Sequence, residues 1–211
     1  LTKRILIVDD HPLFRQALVM ATNNVDADAQ ITQAGNLEAA VNAVSENSDF
    51  SLILLDLKIP GANGYSGVAL IHSEAPDSPI LVISSAEPAK AASEAKRFGA
   101  IGFISKDNDL GAIEIAIKDA LDGKFNQSSS ENNYSIDAEV DDMAQKVASL
   151  TPMQLRVLLG VLSGRLNKQI AYDLGISEAT VKAHLTAIFK KLDVGNRTQA
   201  ALAARALGIG S

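Results

Sequence analysis

A chain of 211 residues, 47% apolar and 21% charged, has the composition of a globular protein and the length of two ordinary domains. No apolar run approaches the roughly 18 residues of a helical membrane span, and the first residues enter a strand-like run without the regions of a signal peptide, so a soluble, cytoplasmic protein with no membrane partner is expected. The absence of cysteine excludes a disulfide framework, a thiolate nucleophile and Cys-ligated zinc, and the net charge of −6 divides unevenly: residues 1–125 hold 17 acidic and 10 basic side chains, residues 126–149 hold 5 and 1, and residues 150–211 hold 3 and 8. An acidic part followed by a basic one implies that the second seeks a polyanion, with nucleic acid first among them.

In chain order, strand-like runs at 4–8, 30–33, 52–55, 80–83 and 101–104 alternate with helix-period stretches at 13–23, 37–46, 65–74, 88–98 and 110–121. Strict alternation predicts an α/β domain with a five-stranded, doubly wound parallel sheet, because parallel strands need crossover connections. Four of the strand runs stop at polar residues: Asp9 and Asp10, Asp56, Ser84, and Lys106. Ligands of such sheets bind outside the carboxyl ends of the strands, so these side chains are expected in one crevice. Three carboxylates, a hydroxyl and an ammonium together can hold a divalent cation and a phosphoryl group. The glycines of GANGYSG, residues 61–67, lack both a dinucleotide fingerprint and a phosphate-loop Lys-Ser or Lys-Thr, and read as a loop.

The segments ILIVDDH (5–11), LILLDLKIPG (52–61), ILVIS (80–84) and GFISK (102–106), in this order and spacing, resemble the receiver domain of two-component response regulators across residues 3–123. The resemblance implies a flavodoxin-like fold with Asp56 as phosphoacceptor and Asp9, Asp10 and Asp56 with the Lys58 backbone carbonyl as ligands of Mg²⁺. It also implies Ser84 and Lys106 as contacts to the phosphoryl group, Ser84 and Phe103 as a switch pair, and a sensor histidine kinase as donor. The chemistry agrees: a carboxylate attacks a phosphate dianion only when cations neutralise the incoming charge. Lys106 is followed by Asp107 where many receivers have proline, which leaves the peptide after it open.

Lys124 to Asn133 reads KFNQSSSENN, a polar linker, and Ile136, Val140, Met143 and Val147 at helical spacing predict a short docked helix. The domain plan is therefore 1–124, a linker with a short helix at 125–149, and 150–211. Thr151-Pro152-Met153-Gln154 has the form of a capping box opening a helix to about residue 163. Helices at 167–174, 178–192 and 198–207 follow, the first stopped by Gly175 and the second capped by Ser177. Together they predict an all-α, four-helix domain with a helix-turn-helix.

LTPMQLRVL (150–158), NKQIAYDLGISEATVKAHLTAIFKKLDV (167–194) and NRTQAA (196–201) resemble the LuxR-type helix-turn-helix of the NarL/FixJ response regulators. With Val181, Leu185, Ile188 and Leu192 inward at helical spacing, Lys182, Ala183 and Thr186 face outward as base-reading candidates. Thr180, Lys190 and Lys191 are phosphate candidates, and Asn167 and Lys168 are placed to touch the backbone of double-stranded DNA. The expected protein is a phosphorylation-controlled transcription regulator, a homodimer when active. Two alternatives stand beside it: a receiver that acts by contact without phosphorylation, and a phosphatase with Asp56 as nucleophile. Phosphatases of the haloacid dehalogenase type carry Asp-x-Asp at the nucleophile, and Lys58 at the second position argues against turnover of an external substrate, so no enzyme is expected beyond the receiver's own phosphotransfer.

Overall fold

The computed structural model describes residues 2–85, 88–125 and 138–209. The apolar runs form β1 (Arg4–Val8), β2 (Gln30–Ala34), β3 (Leu52–Leu55), β4 (Ile80–Ser84) and β5 (Ala100–Ser105). Between and after them lie α1 (Pro12–Val25), α2 (Leu37–Glu46), α3 (Ser66–Glu74), α4 (Pro88–Arg97) and α5 (Leu110–Leu121). All strand pairs are parallel, in the order β2-β1-β3-β4-β5. β1, β3 and β4 are internal to the sheet, and β3 and β4 are buried at every residue, which is why they read as unbroken apolar runs. β2 is an edge strand, and its polar Gln30, Thr32 and Gln33 stand exposed. The order reverses at β1 and β3, so the crevice of this doubly wound sheet opens at the carboxyl ends of those strands.

On one face, Ile5, Ile7, Leu52, Leu54, Leu81 and Ile83 pack with Leu18 and Ala21 of α1 and Ile113 and Ile117 of α5. The intervening residues Leu6, Val8, Ile53, Leu55, Ile80 and Val82 face the other side and are equally buried. Local chemistry starts the helices: Pro12 occupies the first turn of α1, where its missing N–H costs nothing. The Asn36 side chain accepts from the Ala39 N–H at 2.8 Å, and Asp109 accepts from the Ala112 N–H at 2.8 Å. The GANGYSG stretch is a loop as far as Tyr65, with Gly61 at φ +88°, while its Ser66 and Gly67 open α3.

Helices α6 (Ala138–Ala148), α7 (Pro152–Leu162), α8 (Asn167–Leu174), α9 (Glu178–Leu192) and α10 (Arg197–Ala206) complete the described elements. The chain divides into two compact units, Leu1–Asn133 and Tyr134–Ser211. The predicted short helix exists as α6, but it packs against α9 and α10 and so belongs to the second unit, which has five helices among the described residues where four were expected. Burial of Ala144, Val147 and Leu150 explains the docking. The polar linker from residue 126 on, and Ile136, lie outside the described residues. The capping box is formed: the Thr151 hydroxyl accepts from the Gln154 N–H at 3.3 Å and the Gln154 side chain accepts from the Thr151 N–H at 3.1 Å. No helix among the described residues is long and apolar enough to cross a membrane.

Candidate functional site

The carboxyl ends of β1 and β3 carry Asp9 and Asp56, both almost fully buried, and Lys106 follows β5. The Lys106 ammonium lies 2.6 Å from Asp9 Oδ2 and 2.6 Å from Asp56 Oδ2. Parallel pairing brings it there: the Lys106 N–H donates to the Ser84 carbonyl at 3.1 Å, extending the β4–β5 ladder to the crevice. Burial works against the charged ammonium. Its hydrogen bonds to Asp56 and Asp9 and the charge of both carboxylates together outweigh that and hold its pKa above the usual lysine value. The Phe14 ring lies under the same ammonium, 4.7 Å from its centroid.

Backbone donors fix the acids. Asp9 Oδ1 accepts from the His11 N–H at 2.8 Å, and Asp56 Oδ1 accepts from the Lys58 N–H at 3.1 Å. His11 Nδ1 stands 2.7 Å from Asp10 Oδ1 and 3.4 Å from Asp9 Oδ1. One ligand atom from each of Asp9, Asp10, His11 and Asp56 lies within 4.8 Å of the others. Asp9 Oδ2 is held by the Lys106 ammonium at 2.6 Å and Asp10 Oδ1 lies 2.7 Å from His11 Nδ1; each carboxylate oxygen keeps a further lone pair, and a donor set dominated by carboxylates suits a hard divalent cation. The residues present therefore fit a magnesium-class ion.

Of the predicted pocket residues, Asp9, Asp10, Asp56 and Lys106 come together. Lys58 is exposed and lines the pocket with His11, Leu13, Phe14 and Ser85. Ser84, expected to contact the phosphoryl oxygens, is fully buried and its hydroxyl has no hydrogen-bond partner, while Ser85 after it lines the pocket. Phe103 is half-buried in β5, in register with Val82. No peptide among the described residues is cis, so the bond after Lys106 is trans, and the turn is held by the Asp107 N–H donating to Ser105 Oγ at 3.2 Å.

In the second unit α8 ends at Gly175 in the left-handed conformation, φ +64°, and Ser177 caps α9 by accepting from the Thr180 N–H at 3.0 Å. Val181, Leu185, Ile188 and Leu192 are buried, and Lys182, Ala183 and Thr186 are exposed on the opposite face. Lys182 pairs with Glu178 at 3.2 Å, and the Thr186 hydroxyl donates to the Lys182 carbonyl at 3.1 Å. Thr180, Lys168 and Lys190 are exposed, whereas Asn167 is half-buried and its side chain accepts from the Arg197 guanidinium at 3.1 Å. Lys191 is exposed as well, and its ammonium donates to the Ser149 carbonyl just past α6 at 2.8 Å, a tie made by the docking of α6. Arg197 went unnoticed in the sequence, yet it braces the start of α8 through Asn167 and the Arg165 carbonyl.

An acidic, lysine-bridged pocket at the switch point of a doubly wound sheet, joined to a helix-turn-helix, defines a two-domain protein of the signal-receiving, DNA-binding class. The family models agree: residues 5–118 match the response regulator receiver domain and residues 148–204 the bacterial regulatory proteins of the luxR family. The chain is 36% identical over 210 residues to the glycerol metabolism activator of Pseudomonas putida, covering 95% of this chain and 94% of that one. It is 29% identical to the nitrate/nitrite response regulator protein NarP of Escherichia coli, covering 94% and 93%. The signal receiver domain of the putative response regulator NarL from Mycobacterium tuberculosis superposes with TM-score 0.51 at 30% identity, covering 58% of this chain and 98% of that structure. The chain belongs to the response regulators that join a receiver to a LuxR-type DNA-binding domain.

Proposed function

We propose that this regulator is switched by a phosphoryl group on Asp56, taken from the phosphohistidine of a sensor kinase, and that the switch changes homodimerisation and binding to double-stranded DNA. The observation that carries it is the Lys106 ammonium bridging two buried carboxylates at 2.6 Å each. An Asp56 oxygen attacks phosphorus, the new O–P bond forms as the N–P bond of the donor breaks, and the imidazole leaves. Lys106 neutralises the entering charge, which otherwise repels a carboxylate nucleophile. Mg²⁺, held by Asp9, Asp10, Asp56 and the Lys58 carbonyl, would supply the remaining positive charge on the phosphoryl oxygens. The unspent Ser84 hydroxyl supports a role as donor to that group, and half-buried Phe103 supports a rearrangement of β5 when Ser84 is drawn in.

On the DNA side, Lys182, Ala183 and Thr186 present to the major groove, with Thr180, Lys190, Lys168 and Asn167 toward phosphates. Lys191 is a further phosphate candidate, reaching the DNA backbone when its ammonium leaves the Ser149 carbonyl. The setting is the cytoplasm, where kinase and DNA are both available.

Intact mass after incubation with Mg²⁺ and acetyl phosphate tests the chemistry. A gain of about 80 Da is expected in the parent and none in Asp56→Asn, as transfer to one carboxylate requires. An equal gain in both would remove Asp56 from the role. Binding of the phosphorylated chain to promoter DNA is expected to weaken steeply with salt, with a log–log slope of about −0.9 per phosphate neutralised.

A further inference from the structure

We propose that His11 is a ligand of the pocket's cation through Nδ1, and that the site therefore prefers imidazole-accepting divalent ions such as Mn²⁺ and Co²⁺ over Mg²⁺. This rests on the reading of the acidic pocket as a metal site. Three features of His11 carry it. It is the N-cap residue of α1, yet its side chain makes no capping bond, so the ring is not spent on the helix start. Its backbone is pinned instead, the N–H donating to Asp9 Oδ1 at 2.8 Å. And Nδ1 is turned into the acids, 2.7 Å from Asp10 Oδ1 and 3.4 Å from Asp9 Oδ1, while most of the ring remains exposed.

These separations are those of adjacent ligands on one ion. In octahedral coordination with bonds of about 2.1 Å, neighbouring donors lie about 3 Å apart and opposite donors about 4.2 Å. The donor atoms of Asp9, Asp10, His11 and Asp56 fall within 4.8 Å of one another, so the widest pair has to close slightly to meet one ion. Asp9, 1% exposed at its side chain, turns its Oδ2 to the Lys106 ammonium at 2.6 Å. A carboxylate set alone suits Mg²⁺, but a neutral imidazole in the set favours first-row transition ions, which bind nitrogen more strongly than Mg²⁺ does. Mg²⁺ also sheds water reluctantly and gains little from a nitrogen donor. The preference is thus a property of the residue after the acidic pair.

The test loads the full-length chain with Mn²⁺ at constant neutral pH and records its electron spin-echo modulation. A directly bound ¹⁴N is expected in the parent and absent in His11→Gln. Competition titrations are expected to show the Mn²⁺-over-Mg²⁺ preference falling by about tenfold or more in the variant. Circular dichroism confirms that the variant is folded, which exposure of the ring favours. Mn²⁺ bound tightly but without nitrogen modulation in the parent would overturn the proposal and leave the carboxylate site intact. Failure of Mn²⁺ to bind at all would overturn the metal reading together with it. Modulation that persists unchanged in His11→Gln would assign the nitrogen to another residue and overturn the role of His11.

Discussion

Burial in α3 pushes the pKa of His72 below its usual value of 6.5, and its Nδ1 has no hydrogen-bond partner. The ring is packed on Gly99, where φ is +98° and an added Cβ would come within 2.4 Å of the imidazole. The unfolded chain takes up a proton on this residue near pH 6.5 while the folded chain does not, so the unfolded state binds more protons in that window. Stability is fully present above the unfolded pKa and declines as pH falls from about 6.5 through the lowered folded value. Thermal unfolding followed from pH 7.5 to 5.5 is expected to show a steeper loss for the parent than for His72→Gln; parallel curves would show that His72 does not titrate between the two states. Nothing at residue scale in the sequence announced this. Asp9, Asp56 and Lys106 were legible because strand ends carry the pocket of a parallel sheet whatever else the chain does. The Phe14 ring under Lys106 and the Lys191 tie to Ser149 depend on partners far along the chain, which a local pattern does not encode.

At the scale of elements, the turn between α8 and α9 is specified twice, by Gly175 in the left-handed region and by the Ser177 cap. The Ser177 hydroxyl both accepts from the Thr180 N–H at 3.0 Å and contacts the Thr180 hydroxyl at 2.8 Å, so it also fixes a residue placed toward phosphates. Ser177→Ala is expected to lower the stability of the second unit by about 1 kcal/mol, as loss of a helix cap does. DNA affinity measured well below the melting temperature should fall as well, because the helix start frays. An unchanged melting temperature would show that the cap bond contributes nothing net. Such elements were open to sequence reading, since Gly, Ser and the apolar period act locally, and the ranges of α8 and α9 match those the pattern predicts. The short helix at 138–148 shows the boundary of that reading. Its period was visible, but its membership in the second unit follows from Ala144, Val147 and Leu150 burying with that unit, which is a tertiary fact.

The whole chain carries a charge of −6, yet the segment from residue 150 on is basic, so the net value says little about the partner of either unit. Two compact units with separate cores should unfold as two transitions, because cooperativity extends only as far as shared packing. Each ligand then stabilises the unit that binds it. Mg²⁺ with a phosphoryl analogue is expected to raise only the receiver transition in calorimetry, and operator DNA only that of the helical unit. Ligand at a hundredfold excess over its Kd contributes about 2.7 kcal/mol, enough to move the melting of a small domain by roughly 10 °C or more. A single transition raised by either ligand would mean that the units share their stability, and the switch would then travel through common packing. Two independent transitions would instead require phosphorylation to act through which surfaces the units present, since a ligand with no effect on the other unit's folding can still change what that unit meets. That outcome would turn the search for the switch from the cores to the half-buried face of β5 and the exposed face of α4.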